Sequence, residues 1–280
     1  MNQVPIVPHC PTGLVGFSGK CHSELMRIVQ FSDPHLLPAR GETFLGVDTF
    51  LSLQKAVQLT QSLNPLPDAI FVTGDIAERG DAKTYQRFRD VLAAQPLPVF
   101  VVPGNHDNEE AMAEVFAGSH ISFPRHAVLK DCLCLFLNSQ VKEKSHGFLS
   151  MSTLQEVKEL LKGHTTNAVL VSLHHPISSP CPALGCQLEN ETEFLAVLAE
   201  SARPVTVLSG HLHREVDVTK GQMHFLTSPS TFAQCIHPTA EQQLDLNDFW
   251  ASHKMDTTQH GFRILDRLPS GEFETSIHWY

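Results

Sequence analysis

Five short stretches of the chain carry side chains able to hold metal ions: FSDPH with Asp33 and His35, TGD with Asp75, PGNHD with Asn105 and His106, LHHP with His174, and SGHLH with His211 and His213. Two adjacent divalent cations call for this mixture. Imidazoles suit borderline metals, carboxylates offset positive charge, and one carboxylate can bridge two ions. Taken singly each stretch is ordinary, since DxH is a common turn with a helix cap, GD a common turn pair and HxH often exposed polar surface. Their joint presence at the ends of five apolar runs is what points to one convergent site.

Local spacing refines the expectation. In an extended GHLH stretch His211 and His213, two apart, point the same way and can reach neighbouring metals. His174 and His175 are adjacent and diverge, so at most one of them is a ligand and His175 is left without a role. Gly74, Gly104 and Gly210 each immediately precede a candidate residue, where the backbone turns sharply and must leave room for ions and a phosphate.

The elements that position these residues alternate from Met26 onward between apolar strands and amphipathic helices, as in α/β proteins. The first series reads strand Ile28–Phe31, helix Val47–Leu63, strand Ala69–Thr73, helix Thr84–Leu92, strand Val99–Val102 and a short helix Ala111–Phe116. Ala127–Leu129 and Leu133–Leu137 form an antiparallel interlude turned at Lys130 and Asp131. The second series reads helix Met151–Leu161, strand Ala168–Leu173, helix Glu191–Glu200 and strand Pro204–Leu208. Short strands with turns follow from Glu215, interrupted by a polar loop near Asn247–Gln259. Two similar series predict two mixed sheets packed face to face and flanked by helices, a four-layer αββα sandwich forming a single domain over residues 26–280. Residues 1–25, broken by prolines, read as a disordered extension without a secretory signal. Ligands of open α/β sheets sit beyond the carboxyl ends of the strands, where the five stretches fall.

The ordered set DPH, GD, GNHD, H and GHLH resembles the calcineurin-like metallophosphoesterase signature, which runs D-x-H, G-D, G-N-H-[DE], H and G-H-x-H. The resemblance implies that Asp33, His35 and His213 hold one metal, that Asn105, His174 and His211 hold the other, and that Asp75 bridges them. It implies a catalytic role for His106 and substrate contacts from Asn105, His106 and His213. FLGVDTFLSLQKAV, GDIAERGDAKTYQRF, LENETEFLAVL, SPSTFAQ and HGFRILDRLPSGEFET are similar to the class III bacterial 3′,5′-cyclic-AMP phosphodiesterase branch. The segment between His175 and Asn190 is shorter than in that branch, and the loop around Trp250 and His253 longer.

The implied reaction is hydrolysis of 3′,5′-cyclic AMP to 5′-AMP by a hydroxide bridging two divalent ions, with Fe, Mn or Zn all compatible with the ligands. His106 donates a proton to the departing alkoxide, and Asp107 either orients that imidazole or caps its loop. Another phosphodiester or a monoester is the competing substrate. A noncatalytic metal-binding regulator is the competing class, and it predicts a broken ligand set.

Composition narrows the partners. A formal charge of −10 argues against affinity built on neutralising nucleic-acid phosphates. No apolar run reaches membrane-spanning length, so a small cyclic nucleotide is the expected partner and the cytoplasm the expected location. The 7 cysteines form no paired CxxC framework and read as free thiols. Alternation in CLCLFL puts Cys132 and Cys134 on one strand face, as packing rather than as metal ligands.

Overall fold

Strands buried on both faces need two apolar layers, and successive side chains supply them by turning to opposite sides. In β1 (Arg27–Phe31) Ile28 enters one cluster while Val29 and Phe31 enter another. β2 (Ala69–Thr73) divides in the same way, with Phe71 parted from Ile70 and Val72. In β6 (Cys132–Phe136) Cys132 and Cys134 join the Ile28 and Phe71 layer, whereas Leu133 and Leu135 turn away. β7 (Ala168–Ser172) likewise separates Leu170 from Val169 and Val171. The shared layer is the seam between two sheets, and Cys132 and Cys134 lie in it as fully buried free thiols.

The computed structural model describes residues 26–177, 185–236 and 254–280. The expected disordered extension, half of the segment between His175 and Asn190, and the loop around Trp250 and His253 lie outside the described residues. No helix among the described residues is long and apolar enough to cross a membrane.

The remaining strands are β3 (Val99–Val102), β4 (Ile121–Ser122), β5 (His126–Leu129), β8 (Val205–Ser209), β9 (Val216–Lys220), β10 (Met223–Thr227), β11 (Gln234–Ile236), β12 (Lys254–Asp256), β13 (Gly261–Arg267) and β14 (Phe273–Trp279). The first sheet runs β14-β13-β1-β2-β3-β4 and the second β5-β6-β7-β8-β10-β9. Each holds four parallel strands with antiparallel strands added, so both are mixed. Helices α1 (Thr49–Gln61), α2 (Ala82–Leu92) and α3 (Glu109–Phe116) cover the outer face of the first sheet. Helices α4 (Met151–Gly163) and α5 (Glu191–Leu198) cover the second. The order is helix, sheet, sheet, helix, as expected.

Caps explain where the helix boundaries differ from expectation. Asp48, Asp81 and Asn108 accept first-turn N–H groups, which moves the starts to Thr49, Ala82 and Glu109. One part of the expected polar loop is instead a strand: β12 pairs antiparallel with β11, Gln234 opposite Asp256. Its alternation is too short to register against three residues of polar context.

A buried polar tie centred on Gln30 crosses the seam beneath the strand ends. Gln30 on β1 donates from Nε2 to Thr73 Oγ1 on β2 and to the Ser209 carbonyl on β8, both at 2.9 Å. Thr73 Oγ1 then donates to Ser32 Oγ at 2.8 Å, and Ser32 donates to Asp33 Oδ2 at 2.5 Å. The sheets are thereby registered on each other close to the candidate site.

Candidate metal centre

Four of the parallel strands stop two residues short of a candidate ligand: β1 ends at Phe31 before Asp33, β2 at Thr73 before Asp75, β7 at Ser172 before His174, and β8 at Ser209 before His211. β3 ends at Val102, ahead of Asn105 and His106. The first sheet thus presents Asp33, His35, Asp75, Asn105 and His106, and the second His174, His211 and His213. All eight converge on the seam.

Two groups form there. His35 Nε2 lies 3.1 Å from His213 Nε2, which is 3.6 Å from Asp33 Oδ1. His174 Nε2 lies 3.0 Å from both His211 Nδ1 and Asn105 Oδ1. Asp75 Oδ2 sits between them, 3.6 Å from His35 Nε2 and 3.3 Å from His174 Nε2. Ring nitrogens aimed at one another with carboxylate oxygens between them are the donor arrangement of a cation site, so the residues fit divalent metal.

The tautomers are set from outside. His174 Nδ1 donates to the Thr73 carbonyl at 2.8 Å and His213 Nδ1 to the Ala233 carbonyl at 3.1 Å. A carbonyl only accepts, so Nδ1 carries the hydrogen and Nε2 keeps its lone pair for the site. Backbone amides hold the carboxylates: His211 N–H donates to both oxygens of Asp33, at 3.0 and 3.1 Å, and His106 N–H to Asp75 Oδ1 at 2.9 Å.

The extended geometry expected for GHLH does not hold. His211 and His213 both have positive φ, 69° and 47°, as do Asp33 at 51°, His35 at 44° and Asp75 at 49°. Each left-handed non-glycine residue costs about 1 kcal/mol or more, and the surrounding hydrogen bonds hold it there. The kink, rather than strand alternation, sends His211 to His174 and His213 to His35. His175 also departs from expectation, because it does not diverge from the cluster: its ring packs edge-on to His174 at 5.0 Å and lies 5.1 Å from His211. Its Nδ1 bonds Ser139 Oγ at 2.8 Å, while the buried Nε2 makes no hydrogen bond.

Burial and neighbouring charge spread the acidities of these groups. Burial pushes Asp33 up to about 6. It also acts to raise Asp75, but the imidazoles of His174 and His106 outweigh it and hold that carboxyl well below its usual range. Against the penalty of its own burial, Asp75 and Asp33 raise His174 to about 9. Burial and then His174 depress His211 to about 3, and burial and then His35 hold His213 well below the usual range. The proton drawn to His174 by Asp75 and Asp33 stands where a cation would, and a bound cation would displace it and leave the Nε2 lone pair free to coordinate.

The glycines make room for the side chains of Asp75 and His174. A Cβ on Gly104 would stand 2.2 Å from Asp75 Oδ1 and 2.4 Å from its backbone nitrogen. Gly74, at φ 89°, packs against Gly104 and His174 in the same way. We expect Gly104→Ala to destabilise the fold by about 1–3 kcal/mol through overpacking and to weaken metal uptake about tenfold or more by displacing Asp75. Thermal unfolding and metal titration of the variant check this, and wild-type values in both would refute it.

Asp107 does not touch the His106 ring. Its carboxylate accepts from the N–H groups of Ile76, Ala77 and Gly104 and from the Tyr85 hydroxyl, at 2.9–3.1 Å, so it caps the loop. The group facing the ring is Glu78, which sequence reasoning missed. Glu78 Oε2 lies 2.6 Å from His35 Nδ1 and 3.4 Å from His106 Nδ1. GDIAERGD offers no local signal separating it from the exposed Arg79 beside it.

A family model described as calcineurin-like phosphoesterase matches residues 26–215. The chain is 30% identical over 264 residues to a 3′,5′-cyclic adenosine monophosphate phosphodiesterase of Haemophilus influenzae, covering 93% of this chain and 92% of that one. It is 28% identical to a 3′,5′-cyclic-nucleotide phosphodiesterase of Nostoc, covering 89% and 91%. Among solved structures, a dimetal phosphatase from Danio rerio superposes with a TM-score of 0.59 at 15% identity, covering 89% of this chain and 98% of that one, a likeness of fold.

Proposed function

This chain belongs to the calcineurin-like phosphoesterase family, and we propose that it hydrolyses 3′,5′-cyclic AMP to 5′-AMP with two divalent metal ions. Asp33, His35 and His213 would hold one ion and Asn105, His174 and His211 the other, with Asp75 shared. The observation that carries the two-ion reading is Asp75 Oδ2, set 3.6 Å from one histidine pair and 3.3 Å from the other. The substrate reading rests on similarity to cyclic-AMP phosphodiesterases along nearly the whole chain.

When bound, the ions activate water as a nucleophile at neutral pH and neutralise charge on the phosphate oxygens. The residues do the rest. Asn105 turns Oδ1 toward His174 and keeps its amide N–H groups to donate to a phosphate oxygen. Attack at phosphorus breaks the bond to the 3′ oxygen, and His106 gives that oxygen its proton, leaving the phosphate on the 5′ carbon. His213, held at Nδ1 by a main-chain carbonyl, lines the same rim as His106 and His35.

The test is turnover of cyclic AMP, cyclic GMP, bis-p-nitrophenyl phosphate and a phosphomonoester by metal-reconstituted protein, with the nucleotide product identified. We expect 5′-AMP from cyclic AMP. Brisk cleavage of bis-p-nitrophenyl phosphate with both cyclic nucleotides intact would overturn the substrate assignment.

A further inference from the structure

Strand β14, 7 residues long, closes one side of the first sheet, and among the described residues no strand pairs with its outer side. Antiparallel ladders alternate between pairs that exchange both main-chain hydrogen bonds and pairs that exchange none. Tyr280 and His260 exchange both, and Leu268 N–H donates to the Glu272 carbonyl, so the even-numbered residues of β14 bond inward to β13. Phe273, Thr275, Ile277 and Trp279 therefore turn their N–H and C=O groups outward. Such a row is a template for another strand, and proteins that keep an edge single blunt it by shortness, lysine, proline or a bulge. The other sheet edges follow that rule: β4 has 2 residues, β5 has 4, and β9 carries Asp217 and Lys220. β14 has neither lysine nor proline, and its register against β13 runs unbroken from Phe273 to Trp279.

The strand is also complementary to itself. When two copies of FETSIHW lie antiparallel with every residue overlapping, Ser276 sits on the two-fold axis and the outward groups pair, Thr275 with Ile277 and Phe273 with Trp279. Each Glu274 then stands opposite His278 of the other copy, acid against base, at the closely spaced positions where cross-strand side chains interact most. Glu274 and Ser276 are exposed, and the His278 ring is held flat against Phe262, 4.9 Å apart at 7°.

We propose that β14 is a homodimer interface, where a second copy adds its own β14 antiparallel about Ser276 and the first sheets of the two copies become continuous. The pairing forms about eight main-chain hydrogen bonds and joins Glu274 to His278 at both ends.

Sedimentation equilibrium of the full chain is expected to show a monomer–dimer equilibrium that shifts with concentration. Glu274→Lys sets a lysine opposite His278 at both ends, and is expected to weaken association about tenfold or more without altering the circular-dichroism spectrum, since residue 274 is exposed. Ser276→Cys tests the register. Across the axis its two Cα atoms lie about 4.5 Å apart, within disulfide reach, so mild oxidation is expected to link the copies above the wild-type background. Glu274→Cys, whose two copies stand about 13 Å apart, is expected not to link. A chain monomeric at every concentration would leave the edge to another occupant and overturn the proposal. So would a dimer indifferent to Glu274→Lys, or cross-linking at residue 274 as efficient as at 276.

Discussion

Asp75→Ala is expected to lose turnover about 10³-fold or more, because a carboxylate shared as proposed would contribute to both ion sites and several kcal/mol of transition-state stabilisation would go with it. Its Oδ1 is already taken by the His106 N–H, so Oδ2 alone faces the two histidine groups. Without it, neighbouring imidazoles meet with less negative charge to hold cations between them. Wild-type protein is expected to take up two ions per chain about 3.5–4 Å apart, and the variant one or none. Added metal should raise the Tm of the wild type by mass action, and do so much less for the variant. Elemental analysis and melting curves decide it: a variant that keeps two ions and most of its activity would end the bridging assignment.

His106→Ala should behave in the opposite way, keeping both ions and losing cyclic-AMP turnover about 10²–10⁴-fold, the range for a missing general acid. The geometry makes this contrast informative. His106, His35 and Asp75 lie close enough together to form a metal-binding trio of their own. Its Nδ1, however, is engaged by Glu78 rather than left toward the cluster. Loss of an ion in His106→Ala under saturating metal would make His106 a ligand and not a donor.

The layers were legible because a strand buried on both faces must be apolar throughout, and Ala69–Thr73 and Val99–Val102 match their sequence-read bounds for that reason. The convergence of the candidate residues was legible because Asp33, Asp75, His174 and His211 each follow such a run by one to three residues in the sequence reading, a spacing the structure makes uniform at two. What stayed hidden is set by partners far along the chain. The left-handed turn at His211 is held by Asp33, 178 residues away. The same holds for Asp107: its acceptors face Ile76, Ala77 and Tyr85, and its neighbour in sequence lies out of reach. Glu78 resembles a solvated charge until the loop after β2 folds it over His35 and His106.

The eight site residues are divided between two sheets, five on one and three on the other, and this makes activity a gauge of alignment. Sliding one sheet by a single residue displaces its ligands by about 3.3 Å, while a metal site tolerates errors of only about 0.2 Å in its bond lengths. A chain whose halves have each folded but docked out of step would therefore be compact, helical and inert. Gln30, reaching from β1 to the Ser209 carbonyl of β8, and Arg263, reaching from β13 to the Thr227 carbonyl of β10, are local locks against that error. Enzymatic turnover during refolding should accordingly appear only with the final mating of the two halves, later than the recovery of secondary structure.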